Sequence, residues 1–352
     1  MPIAQSRRRF LTNLAFTGAV GLGGASIASL GGGRRSLAAE PPPEVTTIRL
    51  EKDPVLCIAP LVLQELLRAE GFTDIRYVDL TEAYVRRADA AKSSPIADMI
   101  AHGEVDFGRD FVPAQVLGMN GAPITILAGL HLGCFEVFGK DEIRGLADLK
   151  GKTVGTMAAA NAGERPLLTI MTSLVGLDPD KDLHWVSDPS LQPMDLFLEG
   201  KIDAFLAAPP ALQEVRARNI GHVIASSITD RPWSQYYCCM LATSTEFTRK
   251  YPIATKRALR AILKAADLCA SDPRRAAQLV VDGGIAARYD YALQALSEVR
   301  YDVWRDLDPE DSLHFYALRL HEAGLIKANP QNLLAEHTDW RFLNELKHEL
   351  KV

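Results

Sequence analysis

Gly103-Glu104-Val105-Asp106, with Pro113-Ala114 beyond it, returns 97 residues later as Gly200-Lys201-Ile202-Asp203, with Pro210-Ala211 beyond it. Each copy reads as a helix stopped by Gly, a short strand, a loop, and a new helix carrying Pro in its first turn. Outward from these two points the chain alternates short apolar runs with helical patterns, which is the grammar of an α/β fold. Before Gly103 it predicts strands at Thr47–Leu50 and Ile75–Val78 and helices at Pro60–Glu70 and Pro95–His102, with strands at Val105–Gly108 and Ile124–Gly129 beyond. Around Gly200 it predicts strands at Thr153–Thr156, Leu183–Val186 and Ile202–Leu206, and helices at Arg165–Val175 and Met194–Glu199. Two α/β halves follow. If their strands are parallel, the loops after both echoed strands lie at the carboxyl ends, where open α/β sheets bind ligands.

The last hundred residues read as helical. Ala258, Leu259, Ile262, Leu263 and Ala266 mark the buried stripe of a helix over Ile253–Ala270, and Asp308-Pro309-Glu310-Asp311 opens another with a cap and first-turn acids. The other end of the chain reads as an address. Ser6-Arg7-Arg8-Arg9-Phe10-Leu11 precedes an uncharged run from Thr12 to Gly33, then Arg34-Arg35 and the small-residue pair Ser36 and Ala38. That order is similar to a cleaved twin-arginine export signal over residues 1–38, with a Pro-rich linker over 39–45. It predicts a periplasmic protein that meets the twin-arginine translocase during export.

The chain has 352 residues, 47% of them hydrophobic, which suits one or two ordinary cores. Its formal net charge is −5, and it becomes −10 once the five Arg of the first 38 residues are removed. So acidic a body does not suit nucleic acid, which is bound mainly by Lys and Arg. Eight His and five Cys show no metal-ligand spacing, so neither a metal site nor a cofactor is expected. Cys238-Cys239 reads as packing inside a buried strand that crosses between the halves.

Chemistry is expected instead in the strand-to-helix loops. Asp53-Pro54-Val55-Leu56-Cys57 and Arg109-Asp110-Phe111-Val112-Pro113 would form one wall of a cleft. Ala158-Ala159-Ala160-Asn161-Ala162-Gly163 and Ala207-Ala208-Pro209-Pro210 would form the other, with small residues that let backbone N–H groups approach a ligand. Asp110 either bonds a donor on the ligand or caps its helix. Trp233, Tyr236 and Tyr237 either add an aromatic wall or pack in the core.

Gly133-Cys134-Phe135-Glu136-Val137-Phe138, the segment Leu146-Ala147-Asp148-Leu149-Lys150-Gly151-Lys152-Thr153-Val154-Gly155, and Gly200-Lys201-Ile202-Asp203-Ala204-Phe205 resemble the substrate-binding proteins of ABC importers. The class is the nitrate/sulfonate/taurine group together with pyrimidine-precursor-binding relatives, and the resemblance covers residues 45 to 352. It implies a type II periplasmic binding protein: lobe 1 from 46–134 and 238–352, lobe 2 from 135–237, and a ligand cleft between them that closes on binding. It further implies a monomer that captures a small organic molecule (sulfonate, nitrate-like, aromatic acid or pyrimidine-type) and hands it to a permease without turnover. The ligand would be held by the loops carrying Cys57, Asp110, Phe111, Ala159, Asn161 and Pro209, with Trp233 beside them. Two other readings share the fold. One is an enzyme like the pyrimidine-precursor synthases, whose chemistry uses a Cys-rich iron site; the other is a periplasmic sensor subunit.

Overall fold

The computed structural model describes residues 40–53, 55–80, 94–156, 164–188 and 191–351. The expected export signal, the first residue of the linker, and Ala159 and Asn161 lie outside the described residues. Among the described residues, ten strands form two five-stranded sheets. The first contains β1 (Thr47–Lys52), β2 (Asp74–Asp79), β3 (Phe107–Phe111), β4 (Ile124–Leu132) and, from far along the chain, β10 (Tyr237–Ser244). The second contains β5 (Glu136–Gly139), β6 (Lys152–Gly155), β7 (Leu183–Val186), β8 (Ala204–Ala207) and β9 (His222–Ser226). The orders are β2-β1-β3-β10-β4 and β7-β6-β8-β5-β9. In each, the first three strands are parallel and the fourth runs antiparallel to both its neighbours. The protein is therefore a two-lobed α/β molecule in which one sheet pattern occurs twice.

The sequence echo has a physical origin in that pattern. Gly103 and Gly200 both take left-handed φ, +67° and +74°, as the residue past a helix end does. Asp106 then accepts the Arg49 amide at 2.7 Å and returns its own amide to the Arg49 carbonyl at 2.8 Å. Asp203 does the same with Thr153, at 2.9 and 2.7 Å. The acid thus closes a two-bond bracket that starts each parallel pair. Beyond the brackets, β4 and β10 are buried nearly end to end, because helices cover both faces. Each such fully buried Leu or Ile contributes about 1.5–3 kcal/mol over an exposed one.

Two chain crossings join the sheets, one between β4 and β5 and one between β9 and β10. They run side by side: the Ser227 amide reaches the Phe135 carbonyl at 2.9 Å, and the Phe135 amide reaches Ser227 Oγ at 3.0 Å. Gly133 is required there, since a Cβ at that position would lie 1.8 Å from the Ser227 carbonyl oxygen. The C-terminal helices include Pro252–Ser271, Pro309–Glu322 and Pro330–His337, and Asp308 caps the second as its sequence predicts, accepting the Glu310 amide. Past the last of these, Thr338 forms a parallel bridge to Ile126 on the outer edge of β4, and the Asp339 amide bonds the Ile126 carbonyl.

Two expected elements differ. The helix expected over Pro60–Glu70 is two short helices, Ala59–Val62 and Gln64–Ala69, broken where Leu63 turns to ψ 76°. The strand expected to stop at Gly108 continues to Phe111, so Arg109, Asp110 and Phe111 are strand residues rather than loop residues. Their charges find partners inside the protein, as described next.

Candidate functional site

Loops that follow parallel strands of the two sheets meet one another. The Leu56 amide, just after β1, bonds the Pro209 carbonyl, just after β8, at 3.0 Å. This bond joins a loop of the first sheet to a loop of the second. Pro209 is buried and forms a cis peptide with Pro210.

On the first sheet's side, the wall is built from buried charge. Arg109 is 3% exposed, donates from Nη2 to Asp53 at 3.1 Å, and gives its backbone amide to Glu51 Oε1 at 2.8 Å. Burial pushes the Glu51 carboxyl up to about 8, against the pull of Arg109, so it is largely protonated at neutral pH. Burial opposes the Arg109 charge, yet Cys57 and Asp53 are among the groups that hold the guanidinium firmly protonated. Asp110 is pushed up to about 7, again by burial. It accepts the Ser94 hydroxyl and its neighbour's amide at Phe111, 2.8 Å away. Ser94 in turn caps the helix Pro95–Ala101 by accepting the Ala97 amide. Asp110 therefore does not cap the helix that follows it; it anchors the cap of the helix before it. Phe111 is half-buried, edge-on to Phe135 at 5.3 Å, and lies under the Arg109 guanidinium at 5.8 Å.

On the second sheet's side the corresponding residues are small or apolar. Ala207, Ala208 and Pro209 follow β8, and Thr156 follows β6 with its amide on the Val186 carbonyl. Trp233 lies elsewhere: it sits in the second crossing, 5% exposed and edge-on to Phe315 at 6.0 Å. Tyr236 stacks on the same Phe315 ring at 4.1 Å, and the Tyr237 hydroxyl donates to the Val303 carbonyl. Those three aromatics pack the crossing against the C-terminal helices.

Sequence spacing gave no reason to expect metal ligands, and here the structure departs from it. Cys57, His131, Cys134 and Cys239 are all buried, and one donor atom from each lies within 4.8 Å of the others. The four come from the turn after β1, the end of β4, the first crossing and β10. A fourth sulfur, that of Cys238, lies 3.2 Å from Cys134 and 3.7 Å from Cys239. The Cys57 thiol is held well below its ordinary range by hydrogen bonds from Cys134 and Cys239, with Arg109 assisting; burial pushes Cys134, Cys238 and Cys239 up instead. Cys57, expected to touch the ligand, thus faces this group.

The model of the family described as NMT1/THI5 like matches residues 85–276, more than half of the chain. The bicarbonate-binding protein CmpA of Synechococcus elongatus is 25% identical over 257 residues, covering 66% of this chain and 56% of that protein. The chain thus spans little more than half the length of this curated relative. Among solved structures, the periplasmic nitrate-binding protein NrtA from Synechocystis PCC 6803 superposes with a TM-score of 0.74 at 15% identity, covering 89% of this chain and 91% of that one. The alkanesulfonate-binding protein SsuA from Xanthomonas axonopodis pv. citri, bound to MOPS, gives 0.66 at 14%, covering 86% and 100%. At such identities the superpositions show the fold, which is that of periplasmic binding proteins.

Proposed function

Because this chain belongs to the NMT1/THI5-like family, we propose that it is the periplasmic solute-binding component of an ABC importer, capturing a small organic molecule between its lobes without turning it over. The observation that carries this reading is the Leu56–Pro209 bond, which brings together the loops at the carboxyl ends of both sets of parallel strands. The lobes are residues 46–134 with 238–352, and 135–237. The similar proteins bind bicarbonate, nitrate or an alkanesulfonate by name. They support a small anion or an acid-bearing organic solute as the ligand class.

In this reading Asp110 and Phe111 line one wall, Pro209 and the segment carrying Ala159 and Asn161 line the other, and Trp233 backs the crossing. Arg109 supplies the positive field, moderated by Asp53 at 3.1 Å. Export through the twin-arginine route and delivery to a permease complete the proposal.

The test is thermal unfolding of the purified protein against sulfonates, nitrate, bicarbonate, aromatic acids and pyrimidines. A ligand present at 100 times its dissociation constant adds about 2.7 kcal/mol, which should raise the midpoint by roughly 5 °C. A saturable shift with one chemical class, without product formation, is expected. Turnover of a shifting compound, or no shift across the panel, overturns the reading.

A further inference from the structure

We propose that Cys57, His131, Cys134 and Cys239 form a closed structural site for one zinc ion, seated where the chain first crosses between the two sheets. The inference concerns a group beneath the cleft and stands whatever the cleft binds.

The donor set is the first argument. Three sulfurs and one imidazole nitrogen lie within 4.8 Å of one another. Tetrahedral zinc, with Zn–S of about 2.3 Å and Zn–N of about 2.0–2.1 Å, needs donors roughly 3.5–3.8 Å apart. The widest pair has only to close by about 1 Å, within reach of side-chain torsions. The second argument is the imidazole. His131 is fully buried, and its Nδ1 lies 2.7 Å from the Leu132 carbonyl. That bond fixes the Nδ1–H tautomer and leaves the Nε2 lone pair as the free donor. Nε2 has no hydrogen-bond partner. A buried nitrogen left this way is costly, and an imidazole oriented by a backbone carbonyl through its other nitrogen is how proteins prepare a metal ligand.

Burial decides which kind of site it is. All four residues are 0% exposed, and four protein donors fill a tetrahedron, leaving no position for substrate or water. The group is therefore built to hold the crossing rather than to perform catalysis. Cys238 stays outside the four, 3.2 Å from Cys134 Sγ, placed to donate its S–H to that bound thiolate. Charge then selects the ion. Soft thiolates suit both Zn²⁺ and Cu⁺, but three thiolates leave one net negative charge with zinc and two with copper. A buried group tolerates the smaller excess better, which favours zinc. Binding needs no electron transfer: the ion displaces thiol protons to solvent, and no bond other than the metal–ligand bonds forms.

The test is elemental analysis of full-length protein purified without chelator under reducing conditions, with Co²⁺ exchanged in as a spectroscopic probe. About one zinc per chain is expected, together with thiolate-to-cobalt charge-transfer bands and the intense d–d bands of a tetrahedral sulfur site. Cys134→Ser, Cys239→Ser and His131→Gln should each lose most of the metal. Cys269→Ser, buried in the helix Pro252–Ser271 and outside the group, should keep it. If a sulfur variant does not fold, the Co²⁺ spectrum of the unaltered protein decides. Three results would each overturn the site: substoichiometric metal with all five thiols reactive on denaturation, loss of two hydrogens in a Cys134–Cys238 disulfide, or metal retained by the His131 and Cys239 variants.

Discussion

The first sheet opens with Asp106 bracketing Arg49, and the second opens with Asp203 bracketing Thr153 through the same two backbone bonds. At their amino ends β3 and β8 are nearly interchangeable. At their carboxyl ends they are not, for β3 ends in Arg109, Asp110 and Phe111, surrounded by Glu51, Asp53 and Ser94, whereas β8 ends in Ala207, Ala208 and Pro209. Strand pairing demands the bracket in both places, so the chain repeats it. Nothing in strand pairing demands buried charge, so the two carboxyl ends are free to differ, and they differ where the proposed cleft would have its two walls.

The largest expected effect tests the junction that lets the two sheets coexist. Gly133→Ala sets a methyl against the Ser227 carbonyl and should cost about 3 kcal/mol or more in denaturant unfolding, while Gly121→Ala, with open space around it, should cost little. Equal costs would mean that the crossings can separate freely. The next test compares the brackets themselves. Asp106 is almost wholly buried and also holds the Arg49 guanidinium at 2.6 Å, while the Asp203 side chain is 24% exposed and holds Lys140 at 2.7 Å. Asp106→Ala is expected to cost about 3 kcal/mol and Asp203→Ala about 1 kcal/mol. If the order reversed, the second sheet would be the more tightly braced.

A smaller, pH-dependent effect separates the carboxyl ends. Native Asp110 keeps its proton up to about pH 7, whereas the unfolded chain releases it near 4. Between those values the native state binds more protons, so stability should fall as pH rises from about 4 to about 7 and then level off. The Asp110 contribution to that slope is at most about 1.4 kcal/mol per pH unit. Asp110→Asn should remove it from melting curves taken across the range, and an unchanged slope would place the proton elsewhere. Smallest of all, Arg216 on the helix after β8 joins Glu136 at 2.6 Å and Glu298 of the C-terminal helices at 2.8 Å. Glu298→Ala should cost about 0.5–1 kcal/mol in equilibrium unfolding, and less in high salt.

The brackets were legible because each is local: a Gly that stops a helix and an acid three residues later are visible without knowing the partner strand. The end of β3 was misread because Arg109 and Asp110 look like surface residues until Glu51, Asp53 and Ser94 come in from other segments. The sulfur–imidazole group was invisible for a stronger reason. Its members stand at positions 57, 131, 134 and 239, and only the return of β10 between β3 and β4 makes them neighbours. Spacing rules find ligands carried by one hairpin or one helix, not ligands assembled by sheet order.

The bridge between Thr338 and Ile126 has a consequence beyond the fold of one molecule. β4 is the outermost strand of its sheet, apolar over most of its length, and an uncovered border of that kind is a template on which another chain can add a strand. The residues after Pro330–His337 sit against that border and occupy the Ile126 carbonyl. The tail thereby covers part of that border, and shortening the chain before Asn329 should leave it open to strand addition, read as concentration-dependent association in light scattering.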